Sequence, residues 1–166
     1  MTVEDPVCAA EGPTTNLRQR REAIAAALWL RVQSETGRVV GLKTSSRRAR
    51  SFDQVDPQQM PALFMVLRPE TQERGAIGLP AKRTLHFEFW MYTADPQADS
   101  VIPMQQLLTM VDALEAALAP DNQLTGNLNL GGLVATARID GSVEYYESVT
   151  NDGKSIAVVP VAVLMP

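Results

Sequence analysis

The chain has 166 residues, 45% hydrophobic and 20% charged, with a formal net charge of −4 and a mean hydropathy of −0.08. This balance describes one globular domain long enough to bury a core, and excludes a disordered acidic tail. A pI near 5.0 argues against a dedicated nucleic-acid binder, while a single cysteine, Cys8, and a single histidine, His86, exclude an internal disulfide, a thiolate cluster within one chain and a His-rich zinc site.

Residues 1–15 read as a flexible N-terminal arm with few apolar anchors, and 16–166 as a single domain. The acidic start carries no export signal, and the longest apolar run, Ile156–Met165, contains Pro160 and is about half of what a membrane helix needs, so residence in a cytoplasm is the expectation. Thr14, Thr15 or Asn16 can cap a first helix reaching about Thr36, with Leu17, Ile24, Leu28 and Val32 at helical spacing and Gly37 closing it. Arg18, Arg20 and Arg21 stand at the end of that helix where its dipole disfavours cations, so an acidic partner would suit them. Arg38–Lys43 can form a strand, followed by a long polar loop, Thr44–Gln59. Arg38, Lys43, Arg47, Arg48 and Arg50 carry positive charge with no acid between them. They suit a solvated loop, or a contact with DNA phosphates or an acidic protein.

Ala62–Leu67 is a short apolar strand, and Arg68–Arg83, punctuated by Pro69, Gly75, Gly78 and Pro80, an extended connection long enough to reach a neighbouring molecule. Thr84–Tyr92 is the clearest strand: Leu85, Phe87, Phe89 and Met91 alternate with His86, Glu88, Trp90 and Tyr92. A second helix, capped near Asp99-Ser100 with Pro103 in its first turn, carries the stripe Met104, Leu107, Val111, Leu114 and Leu118 and stops at Pro120. Leu133–Asp140 and Ser142–Tyr146 then read as a hairpin about Asp140-Gly141, and Asn151-Asp152-Gly153 as a turn. Ser155–Met165 reads as an aliphatic strand covered on both faces.

The expected fold is therefore α+β: a mixed, mainly antiparallel sheet of five or six strands with two main helices on one face. The other face, carrying Trp90 and Tyr92, needs another cover, which a neighbouring subunit or the long hairpin could supply. Arg47, Arg48, Arg50, Glu73, Arg74, Trp90, Tyr92, Val159 and Val161 are the expected interface residues.

Chemical motifs are weak. Gly153-Lys154-Ser155 ends like a phosphate-binding loop, but the first glycine is replaced by Ser148 and the segment opens a strand. His86 and Glu88 share a strand face without a nucleophile or metal partner at a useful spacing. No catalytic, cofactor-binding or metal-binding residue is expected, and the chain is not expected to be an enzyme.

The order of elements, with Arg21-Glu22-Ala23-Ile24 and Leu28 opening it, resembles the tail terminator proteins of long-tailed bacteriophages, also called tail completion or minor tail proteins. Pro61-Ala62-Leu63-Phe64, Leu85-His86-Phe87-Glu88-Phe89, Leu107, Val111, Leu114-Glu115-Ala116-Ala117-Leu118, Glu144-Tyr145 and Ala157–Val163 continue the likeness. The resemblance implies a homo-oligomer, a hexameric ring that caps the tail tube, ends its polymerisation and presents a surface to the head–tail connector, with DNA passing through the lumen. It also implies a place at the head-proximal end of the virion tail, after assembly in the host cytoplasm. The alternative is a nucleic-acid-contacting accessory or head–tail adaptor protein that uses the basic loop 43–50.

Overall fold

The computed structural model describes residues 13–75, 77–95, 97, 101–121, 124, 126–147 and 153–166. The expected cap at Asp99-Ser100, the turn at Asn151-Asp152 and residues 1–12 of the arm lie outside them.

Helix α1, Pro13–Val40, buries Ile24, Ala25, Leu28 and Val32 along one stripe. It runs through Gly37 and closes one turn later, where the Gly41 N–H donates to Gly37 O at 3.2 Å. Residues 38–40, expected as strand, therefore belong to the helix. A glycine inside a helix costs only about 1 kcal/mol, which packing readily offsets. No part of the strand expected over Arg38–Lys43 forms; the first strand, β1, is Thr44–Ser46, inside the segment expected as a polar loop, and it runs parallel to β2, Ala62–Glu73. Helix α2, Ile102–Ala117, buries Leu107, Met110, Val111 and Leu114. Arg31 of α1 donates to its terminal carbonyl, Ala117 O, at 2.5 Å, satisfying an acceptor that the helix leaves open.

Strand β3, Lys82–Ala94, is antiparallel to β2 on one side and to β6, Lys154–Leu164, on the other. The ladder breaks at a bulge between Arg68 and Thr71 and resumes with Thr71, Gln72 and Glu73 against Thr84, Arg83 and Lys82, so much of the connection expected over 68–83 is a two-stranded ribbon. Both helices cover one face of the sheet. There Leu85, Phe87, Phe89 and Met91 meet Val163, Val161, Val159 and Ala157 in register, all fully or nearly fully buried. The α+β expectation, helices on one face of a mixed sheet, is what the structure shows, and the described residues give six strands in the sheet.

Strands β4, Thr136–Ile139, and β5, Glu144–Glu147, do not pair with each other as a hairpin. Both lie antiparallel to β6, β4 on Val161–Leu164 and β5 on Ser155–Val158. Together they are one interrupted strand. The interruption faces Pro160, whose carbonyl accepts from Asp140 N at 3.1 Å but whose missing N–H cannot complete the ladder. Gly141 bends the chain there with φ of 120°, a conformation that side chains disfavour, and Asp140-Gly141 is thus a bulge rather than a hairpin turn. Nor is β6 covered equally on both faces: Ile156, Val158, Pro160 and Leu164 stay half-exposed on the side away from the helices.

Candidate interaction surface

The second face of the sheet is where the structure departs most from the sequence reading. The segment between β1 and β2 folds back across one end of it, through short turns at Phe52–Gln54 and Pro57–Gln59. Val55 and Met60 from this segment bury against Ala62, Phe64 and Tyr92, with Phe52 and Trp90 beside them. The Tyr92 ring sits 5.2 Å from Phe52 and 5.3 Å from Phe64, centroid to centroid, within the range of favourable edge contacts. Its hydroxyl donates to Arg50 O at 2.9 Å, and burial pushes that hydroxyl up to about 12. A polar loop was the expectation. Its three apolar residues make it a lid on half the face.

The nine expected interface residues separate accordingly. Tyr92, Val159 and Val161 are buried within the chain itself, Tyr92 under the lid and the two valines under the helices, so none presents a surface to a partner. Strand parity follows register, and Val159 and Val161 stand opposite Phe89 and Phe87 on the helix side. Arg47 is engaged, donating to both carboxylate oxygens of Glu22 at 2.7 and 3.0 Å. Arg48 and Arg50 are exposed at the foot of the lid, and Glu73 and Arg74 are exposed where the ribbon runs into its tip. Trp90 is half-buried, its indole N–H donating to Glu88 at 3.0 Å.

What stays open lies beside the lid. Val66, Trp90, Val158 and Pro160 form a half-exposed apolar strip. Arg68 and Glu88 form an ion pair at 3.1 Å on β2 and β3, and His86 hydrogen-bonds Thr71 at 3.1 Å. His86 and Glu88 are thus engaged with different partners. Beyond the strip the ribbon ends in two exposed apolar residues, Ile77 at 107% and Leu79 at 67% relative exposure.

On the helix side, a groove of about 480 Å³ runs between the start of α1 and strands β2 and β3. Met65, Leu67, Leu85 and Phe87 supply its apolar surface, and its charge is of both signs, Arg18, Arg21, Arg47 and Arg68 beside Glu22 and Glu70. Glu70, which sequence reasoning passed over, is the hub at one end. It accepts from Arg21 Nε at 2.7 Å and Nη2 at 3.1 Å, and from Arg83 at 3.1 Å. Those guanidinium bonds, Arg21 first, hold its carboxyl below the usual range against the opposing effect of burial. The only sequence signal for this site was the arginine cluster at the helix start, which asked for an acid without saying which one.

Among the described residues no three of His, Cys, Asp and Glu gather closely enough to hold a metal ion, and no helix is long and apolar enough to cross a membrane. No protein-family model matches the chain, nor does any curated protein. Among solved structures it is similar to a chain in the virion of a native gene transfer agent (GTA) particle, at 12% identity, with 86% of this chain and 95% of that chain covered and a TM-score of 0.47.

Proposed function

We propose that this chain is a structural protein of a tailed phage or phage-like particle, a ring that caps the tail tube, stops its polymerisation and offers the surface to which the head connector joins. The observation that carries the reading is the half-open sheet face with the projecting ribbon. Helices cover one face, the lid covers half of the other, and the remaining apolar strip and the bare tip at Ile77 and Leu79 are surfaces suited to a neighbour. The order of elements is the one on which the resemblance to tail terminators rests. The role is mechanical rather than catalytic, in keeping with His86 and Glu88 being tied to Thr71, Arg68 and Trp90. The alternative, DNA contact through loop 43–50, is weakened by the Glu22 carboxylate, which answers the charge of Arg47 at the surface.

Light scattering and negative-stain imaging, alone and with tube protein, test the reading. Rings and capped tubes are expected. A strict monomer that never caps a tube would overturn it. Replacing Ile77 and Leu79 by serine should leave thermal unfolding unchanged, because both are already in water, while shifting rings toward monomers. An unaltered assembly would remove the ribbon tip from the interface.

A further inference from the structure

Both edges of the sheet are open at the same level. Strand β1 pairs only with β2, through Thr44, Ser45 and Ser46 opposite Ala62, Leu63 and Phe64, and β5 pairs only with β6, through Glu144, Tyr145 and Tyr146 opposite Val158, Ala157 and Ile156. Followed across β2, β3 and β6, these partners fall in the same three rows. Ser45, Leu63, Met91, Ala157 and Tyr145 make the middle one, with Thr44 and Tyr146 at the two ends of one neighbouring row and Ser46 and Glu144 at the ends of the other. Among the described residues no further strand lies on the outer side of β1 or β5. The directions also suit each other: β1 is parallel to β2, and three antiparallel pairings separate β2 from β5, so the two edge strands run in opposite senses.

Their charges are opposite as well. Lys43, Arg48 and Arg50 are exposed around β1, no acid occurs from Arg38 to Arg50, and only Arg47 among these four basic residues of the loop is answered within the chain, by Glu22. Every residue of β5 is exposed, and Glu144 and Glu147 end it. Asp112 and Glu115 of α2 are exposed beside it; burial, and then the charges of Glu115 and Asp112, raise the Tyr145 hydroxyl above its usual range. Charge on an edge strand ordinarily keeps like edges apart, but edges of opposite sign attract.

We propose that β5 of one copy adds to β1 of the next, so that the sheet continues from copy to copy. With the rows continued the new pairing is antiparallel, Ser45 stands opposite Tyr145, and one row further Lys43 stands beside Glu147. The inference rests on the ring reading and names the two edges that would meet in it. Unlike edges pair head to tail, which is the kind of contact that closes a ring. Three rows make a short pairing, which acts together with the ribbon contact and does not replace it. The basic loop 43–50 then has its acidic partner in a second copy of this chain.

Within one chain β1 and β5 are four inter-strand steps apart, about 19 Å, so a disulfide between them has to join copies. In the full-length chain with Cys8→Ser, which removes the only native thiol, mild oxidation of the Ser45→Cys, Tyr145→Cys variant is expected to give a ladder of covalent oligomers on a non-reducing gel. Mixing the two single-cysteine chains should give the mixed dimer in several-fold excess over either like dimer. Arg138→Cys, exposed on β4 outside these rows, takes the place of Tyr145→Cys as the control and should cross-link several-fold less. Lys43→Glu or Glu147→Lys alone should weaken assembly several-fold by light scattering, and the two together should restore it. An assembly that gives no more covalent oligomer than the control, or a double charge swap that rescues nothing, overturns the edge pairing and leaves the ring standing on the ribbon. Like dimers in excess overturn it too, since they report a two-fold contact. A strict monomer overturns the ring reading along with it.

Discussion

Replacing Tyr92 by phenylalanine removes one hydrogen bond and one ionisable group from the joint that fastens the lid to the sheet. At neutral pH the loss is that of the bond to Arg50 O at 2.9 Å, about 1 kcal/mol for a bond of this kind. At alkaline pH the sign changes. Burial raises the folded-state value of the hydroxyl to about 12, whereas in the unfolded chain it titrates near 10. Between those values the unfolded chain has given up a proton that the folded chain keeps, so stability is intact below the lower value and falls as pH rises toward the upper. One pH unit into that window the wild type has lost about 1.4 kcal/mol through this group alone. The Tyr92→Phe chain has no such group and keeps that energy. Urea unfolding followed by tryptophan fluorescence should therefore show the variant weaker by about 1 kcal/mol near pH 8, and equal or slightly stronger near pH 11. Every other ionisable group is common to both proteins and cancels in the comparison. A deficit of the same size at both pH values would refute a hydroxyl buried in an apolar joint.

Three further substitutions probe the rest of the frame. Val161→Asp places a carboxylate at a position 1% exposed beneath the helices, at a cost of several kcal/mol; a cooperative melt at the wild-type temperature would contradict the face assigned to β6. Glu70→Gln, at a site 17% exposed, should cost roughly 1 kcal/mol at neutral pH. Because the native carboxyl titrates below its unfolded value, its contribution is present above about pH 4 and disappears as pH falls through the lower native value, so the variant should lose less stability in acid than the wild type. An identical acid limb in both proteins would show that the Arg21–Glu70–Arg83 cluster contributes nothing. Gly153→Ala would put a methyl group onto the Asp95 carbonyl oxygen at a φ of 63°, at the end of the β3–β6 ladder where Asp95 N bonds Gly153 O at 2.9 Å. A loss of roughly 1 to 3 kcal/mol by thermal unfolding is expected, and no loss would mean that this end of the ladder relaxes freely.

Local pattern carried the sequence reading wherever burial and periodicity coincide. Strand β3 and helix α2 were placed within two or three residues because Leu85–Met91 alternate and Leu107–Leu114 recur at helical spacing on faces that are in fact buried. The extension of β2 and β3 through Arg68–Glu73 was hidden because ladder bonds are made by backbone and need no apolar residue. Errors about the lid and the interrupted strand share another cause, which is that the deciding contact is distant in sequence. Phe52, Val55 and Met60 look like strays in a polar loop until Tyr92, more than thirty residues later, gives them a partner. Asp140-Gly141 has the composition of a hairpin turn, and only Pro160 on β6 makes it a bulge. The interaction surface was legible as a need, a sheet face without a helix to cover it, and not as a set of residues.

The way that face is closed bears on the kind of assembly it can support. A lid that seals one end while leaving the other open makes the two ends of the sheet different, and the bare ribbon tip belongs to neither patch. If the ribbon of one copy lies on the open strip of the next, the two surfaces in contact are different surfaces of the same chain. Such a contact repeats head to tail, and it closes into a ring when the rotation between neighbours divides a full turn, or winds into a filament when it does not. A two-fold dimer would instead bury the same patch twice and satisfy the apolar strip without the tip. The Ile77→Ser, Leu79→Ser chain separates these cases: a two-fold dimer survives the change, whereas a head-to-tail ring loses one half of every contact and falls apart.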